Sequence, residues 1–190
     1  MQRVCVYCGS NSGFDPAFVS AAAAVGKMLA ENGMGLIYGG GSVGLMGAAA
    51  DAALLAGGEV TGIIPRKLIT MEVEHRGLTK LIEVDTMHER KWLMMENSDA
   101  FLVLPGGYGT LEELFEVITW LQLGFHNKPV CLFNVNGYYD ALLTFLETME
   151  TSGLISQIHR GLLRVATNVE DVLPLLKVEL PEHVGKWKVS

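Results

Sequence analysis

Residues 105–113 read Pro-Gly-Gly-Tyr-Gly-Thr-Leu-Glu-Glu and directly follow the apolar run 100–104. A buried strand that ends in a glycine cluster and turns into an acidic helix joins two capacities. Glycines let a ligand approach the backbone closely. The exposed N–H groups of a helix that starts there favour an anion. Glu113 adds a carboxylate just inside that helix, suited to acid–base work. The same residues carry a second reading. Thr110-Leu111-Glu112-Glu113 has the spacing of a capping box, in which Thr110 and Glu113 satisfy each other's backbone donors. A cap needs no glycine cluster, whereas a ligand seat does.

Two further stretches bear on chemistry. Gly39-Gly40-Gly41-Ser42-Val43-Gly44 formally fits the dinucleotide fingerprint. That fingerprint belongs after a first strand, with an acidic residue at the end of the next one. Glu59 precedes its strand and sits at the wrong edge, which disfavours a nicotinamide-dependent oxidoreductase. The loop then reads either as a tight strand–helix turn or as a phosphate or sugar seat. Met87-His88-Glu89-Arg90-Lys91 opens a helix. Taken alone it reads as a solvated charged face, although Arg90 would make a good fork for phosphate or carboxylate. His88 reads equally as a surface residue or a ligand contact. The five histidines show no metal-ligand spacing, and no Walker pattern or Gly-x-Ser-x-Gly elbow occurs.

The elements that must position these residues alternate. Strands are expected at 3–8, 35–38, 60–64, 81–84, 100–104, 129–133 and 163–166. Helices are expected at 16–31, 44–56, 86–97, 110–123, 138–151 and 169–177. Asp15 is the expected N-cap of the first helix, with Pro16 at its first position. Residues 66–78 read as an irregular loop. Short apolar strands alternating with helices imply an α/β fold: a Rossmann-like three-layer arrangement, with a central parallel sheet and helices on both faces. In such sheets ligands bind beyond the carboxyl ends of the strands. Both glycine loops follow strands and precede helices, so both should lie at that edge.

The chain has 190 residues, 49% hydrophobic and 18% charged, as expected of one compact domain over 1–180 with a polar tail at 181–190. A net charge of −7 argues against a nucleic-acid or anionic-membrane surface. The N-terminus lacks the apolar core of a signal peptide and no run is long enough to span a bilayer, so a cytoplasmic location is expected. The three cysteines make no disulfide framework. Cys5 and Cys8 have redox spacing, but on a strand they face opposite sides and read as core.

The residues now gathered resemble the LOG (Lonely Guy) family of cytokinin-activating phosphoribohydrolases, whose members are often labelled lysine decarboxylases. The family's Pro-Gly-Gly-x-Gly-Thr-x-x-Glu is matched by 105–113 without a gap, and its Arg-Lys pair by Arg90-Lys91. The likeness extends through Val6-Tyr7-Cys8-Gly9-Ser10, Tyr38-Gly39-Gly40-Gly41, Gly44-Leu45-Met46-Gly47, Gly62-Ile63-Ile64-Pro65 and Asn136-Gly137-Tyr138-Tyr139, covering residues 3–176. It implies hydrolysis of a nucleoside 5′-monophosphate to free base and ribose 5-phosphate. The implied substrates are N6-modified adenosine monophosphates, with AMP a further one. The implied catalytic pair is Arg90 and Glu113. Implied substrate-binding positions are Glu72, Lys91, Gly107, Tyr108, Gly109, Thr110, Leu111, Glu112 and Thr119. The matched stretches add Gly9, Ser10, Gly40, Gly41, Met46 and Gly106. The resemblance implies a homodimer and no metal or other cofactor. Two rivals remain: a non-catalytic nucleotide or cofactor carrier on the same fold, and a pyridoxal-phosphate decarboxylase, which would need a Schiff-base lysine in a phosphate site.

Overall fold

The computed structural model describes residues 1–69 and 74–180. Seven parallel strands form one sheet in the order β4-β3-β2-β1-β5-β6-β7. The strands are β1 (Arg3–Tyr7), β2 (Gly35–Tyr38), β3 (Val60–Pro65), β4 (Lys80–Val84), β5 (Ala100–Val103), β6 (Val130–Phe133) and β7 (Leu163–Ala166). The helices are α1 (Pro16–Glu31), α2 (Gly44–Leu55), α3 (Arg66–Ile69), α4 (Met87–Glu96), α5 (Tyr108–Leu123), α6 (Asp140–Thr151), α7 (Gln157–Arg160) and α8 (Val169–Lys177), with a 3-10 turn at Val135–Gly137.

The apolar central strands β3, β2, β1, β5 and β6 are buried on both faces, as a doubly covered parallel sheet requires, while the edge strands β4 and β7 are only partly buried. Val4 and Val6 of β1 point into a core shared with α1, α2 and α8. Cys5 and Tyr7 point into the opposite core with α4, α5 and α6. The strand alternation therefore separates Cys5 from Cys8, and both are free thiols.

Local signals place some of the helix starts. The Asp15 side chain accepts from the Ala17 N–H at 2.9 Å, with Pro16 following it. A capping box opens α4: Glu89 N–H donates to Thr86 Oγ1 at 3.1 Å, and Thr86 N–H donates to Glu89 Oε2 at 3.2 Å. The expected box at Thr110–Glu113 is absent. Helix α5 begins earlier, at Tyr108, with Gly107 as a cap that has no side chain. Thr110 is therefore a buried first-turn residue, 4% exposed. Helix α6 begins later than expected. The side chain of Asn134 bonds both Asp140 and the Tyr139 N–H and holds a turn ahead of the helix. The short α3 falls inside the expected 66–78 loop.

His126 is buried beside Phe101. Its Nδ1 accepts from the Lys128 N–H at 3.1 Å, so Nε2 carries the proton donated to the Val117 carbonyl at 2.9 Å. Burial holds its pKa below the ordinary histidine value; the Val117 bond opposes the shift and the Lys128 charge adds to it. Below about pH 6.5 the unfolded chain gains a proton here that the folded chain resists. Stability from this site is thus complete above that pH and is lost as pH falls. Urea unfolding at pH 7 and pH 5 should show a smaller loss of stability in His126→Gln than in the wild type. Equal losses would remove His126 from the acid response.

Candidate active site

Strands β1 and β5 are neighbours, but the chain leaves them toward opposite faces, to α1 and to α5. Their following loops part and open a crevice at the carboxyl edge, the place where such sheets bind ligands. The Gly9 N–H donates to the Pro105 carbonyl at 3.0 Å and closes the floor. The Leu45 N–H donates to the Gly9 carbonyl at 3.0 Å and draws in the start of α2. The crevice holds a cavity of about 470 Å³, within the range of small-molecule sites.

One wall is the N-terminus of α5, and its three glycines differ in purpose. A Cβ on Gly106 would lie 2.1 Å from Thr110 Oγ1 and 2.9 Å from Gly9 N, so Gly106 serves internal packing. A Cβ on Gly107 or Gly109 would meet nothing within 4 Å. These two glycines leave the first-turn N–H groups open to an anion, favoured there by the helix dipole. The loop ahead of the helix is pinned from behind. Tyr138 Oη donates to the Gly106 carbonyl and Tyr139 Oη to the Leu104 carbonyl, each at 2.7 Å.

Gly109→Ala separates packing from binding. Alanine suits a helix better than glycine, by roughly 0.5–1 kcal/mol. The variant should melt slightly higher than wild type yet bind inorganic phosphate about tenfold more weakly, if the added methyl meets an anion at this helix N-terminus. Unchanged affinity by calorimetry would remove the seat from this turn.

Arg90 and Glu113 line the same cavity from two helices. The expected solvated face at the opening of α4 holds for Met87, His88 and Glu89, which are exposed, but not for Arg90, which is only 6% exposed. Its Nη2 donates to the Gly39 carbonyl at 3.0 Å. The Glu113 charge is felt beneath the cavity. Burial first, then Glu113, pushes the thiols of Cys8 and Cys5 well above the ordinary cysteine range, with Arg90 opposing at Cys5. Cys8 lines the cavity but stays protonated, so it is not a thiolate nucleophile.

Lys91 points elsewhere. Its Nζ bonds Glu112 at 2.5 Å and Glu116 at 2.8 Å, with 12% of the side chain exposed. Burial pulls its pKa down, but the two carboxylates outweigh burial and the net shift is upward. Lys91 braces α4 against α5, while Glu112 reaches the cavity edge. Lys91→Met should unfold at lower urea than wild type, because the largely buried Glu116 loses its partner while the exposed Glu112 adds little, a cost of about 1 kcal/mol. Unchanged stability would make the pair of bridges inconsequential.

Of the other expected binding positions, Gly9, Ser10, Met46, Gly106, Gly107, Tyr108, Gly109 and Thr110 line the cavity. Gly40, Gly41, Leu111 and Thr119 do not. The Gly40 carbonyl accepts from the His75 N–H at 3.1 Å, and Gly41 is bridged to Glu74. Leu111 packs into the core and Thr119 is exposed farther along α5. Glu72 lies outside the described residues. Sequence reasoning missed Asn11, Ser12, Phe18, Leu68, Met87 and Tyr138, which also line the cavity. Met87 was findable, as it lies one turn before Arg90 on the same helix face. Leu68 and Phe18 carry no such signal.

Among the described residues no group of three or more His, Cys, Asp or Glu is placed to hold a metal. Among the described residues no lysine lines the cavity.

Residues 46–176 match the family described as "Possible lysine decarboxylase". The chain is 47% identical to cytokinin riboside 5′-monophosphate phosphoribohydrolase LOG2 of Arabidopsis thaliana, over 96% of this chain and 85% of that one. It is 45% identical to cytokinin riboside 5′-monophosphate phosphoribohydrolase LOG of Oryza sativa subsp. japonica, over 96% of this chain and 75% of that one. Among solved structures, a molybdenum cofactor binding protein from Rippkaea orientalis superposes with a TM-score of 0.70 at 24% identity, over 93% of this chain and 95% of that one. The molybdenum cofactor carrier protein of Chlamydomonas reinhardtii gives 0.70 at 20% identity, over 93% and 96%. At that identity the two structures establish the fold alone, and the activity is not read from them. The family match and the near-complete alignment with the plant proteins show that this chain belongs to the LOG family.

Proposed function

We propose that the protein is an N-glycosyl hydrolase that cleaves cytokinin riboside 5′-monophosphates to free base and ribose 5-phosphate. Its relatives carry that activity in their names. The observation that carries the reading is the meeting of Glu113, Arg90 and an open helix N-terminus in one cavity.

The chemistry suits those groups. Breaking the N-glycosidic bond builds positive charge on the ribose. The Glu113 carboxylate stabilises that charge and activates the attacking water. The 5′-phosphate sits on the α5 N–H groups at Gly107 and Gly109. Because phosphate is remote from the breaking bond, its binding energy serves orientation. Arg90 acts beside Glu113, on the phosphate or on the carboxylate itself. The reaction needs no cofactor. AMP, with its smaller base, is a second substrate in this proposal.

The protein is further proposed to be a homodimer. Trp92 of α4 and Trp120 of α5 pack edge to face at 6.4 Å, and α5 also exposes Phe115 and Leu123. Apolar surface of that kind marks an association site. Thr119, away from its own cavity, lies on the same helix. Sedimentation should give the dimer mass, and a monomer would refute this part. The single domain over 1–180, the tail at 181–190 and the cytoplasmic location also stand as proposals. No helix among the described residues is long and apolar enough to cross a membrane.

The test compares N6-isopentenyl-AMP and AMP with their unphosphorylated nucleosides. The proposal expects base release from the nucleotides and loss of about a thousandfold without the phosphate. Comparable rates from nucleosides would contradict the phosphate seat.

A further inference from the structure

We infer that the glycine loop 39–41 is a socket that positions Arg90, and that Gly39 is the positioning residue within it. The inference rests on the role proposed for Arg90.

The loop offers oxygen where a phosphate would need N–H. The Gly39 carbonyl accepts from Arg90 Nη2 at 3.0 Å in a buried setting. The Gly40 carbonyl is taken by the His75 N–H, and Gly41 is bridged to Glu74. Carbonyl oxygens attract a guanidinium and repel an anion. Neither Gly40 nor Gly41 reaches the cavity.

Space gives the second argument. A Cβ on Gly39 would lie 2.0 Å from Arg90 Nη2, 3.1 Å from Arg90 Cζ and 3.3 Å from Met46 Sδ. Gly39 is not among the residues with positive φ. Glycine is therefore required for room and not for backbone freedom. Gly40, by contrast, does adopt a φ of 82° and turns the strand end toward α2. The two glycines together set a carbonyl against the guanidinium and clear the volume it fills. Arg90 is thus fixed at both ends, by the α4 backbone and by the loop, and held at the cavity wall beside Glu113. Fixing a charged group in advance of substrate is what electrostatic stabilisation requires.

A double-mutant cycle tests this with four proteins: wild type, Gly39→Ala, Arg90→Ala and the double variant. Each is measured for thermal unfolding, for AMP affinity by calorimetry and for base release from N6-isopentenyl-AMP. In the wild-type background Gly39→Ala should lower turnover about 100-fold, because displacement by an ångström is enough. Its split between kcat and KM should copy that of Arg90→Ala. In the Arg90→Ala background it should change turnover and affinity by less than about twofold, and its loss of thermal stability should largely vanish. A Gly39→Ala protein that fails to fold, alongside a double variant that folds, supports the socket. Failure of both to fold overturns it. Equal weakening of AMP binding in both backgrounds also overturns it, and returns the loop to a phosphate seat. If wild type binds AMP yet releases no base, the hydrolase reading fails, while the unfolding and affinity cycles still decide the socket.

Discussion

Glu113→Gln should retain the fold and lose about 10²–10⁴-fold in turnover. Glutamine keeps the shape and the first carboxyl-like oxygen but carries no charge. It can neither stabilise a ribosyl cation nor take a proton from water. The stability cost should be small, because Glu113 does not cap α5: that helix starts at Gly107 without a side-chain cap. A capping role would produce the reverse pattern, a loss of about 1 kcal/mol in stability with chemistry intact. Parallel measurements of Tm and kcat separate the two.

Arg90→Ala should cost about 100-fold or more in turnover and, unlike Glu113→Gln, also destabilise the protein. The guanidinium is buried and donates to the Gly39 carbonyl. Its removal strands that carbonyl, at a cost of about 1–3 kcal/mol. Arg90→Lys should recover little activity, since an ammonium cannot reproduce the planar fork. Full turnover in Arg90→Ala would reduce the residue to a packing element.

Much of the fold was legible because its signals are local. The seven apolar strands, the Asp15-Pro16 helix start and the glycine stops each lie within a few residues. The site was legible in part. The stretch 105–113 announces a glycine-opened helix, and the structure brings Arg90 to the same cavity. What failed were readings decided by distant partners. The Thr110–Glu113 box is a sound local pattern, yet α5 starts at a glycine that leaves no capping signature, and Thr110 is drawn inward against Gly106. The loop 39–41 reads either as a tight turn or as a phosphate or sugar seat until the partners of its carbonyls are known, and these lie far along the chain, at Arg90 and His75. Lys91 looks solvated until Glu112 and Glu116 fold over it from the next helix. Helices α3 and α7, four residues each, are too short to show periodicity.

The most direct test incubates wild type with N6-isopentenyl-AMP and quantifies free base and ribose 5-phosphate together, with Glu113→Gln beside it. Hydrolysis at this cavity predicts the two products in equal amounts from the wild type and almost none from the variant. Tight binding of the nucleotide with no base released from the wild type would contradict it and leave a carrier on the same fold.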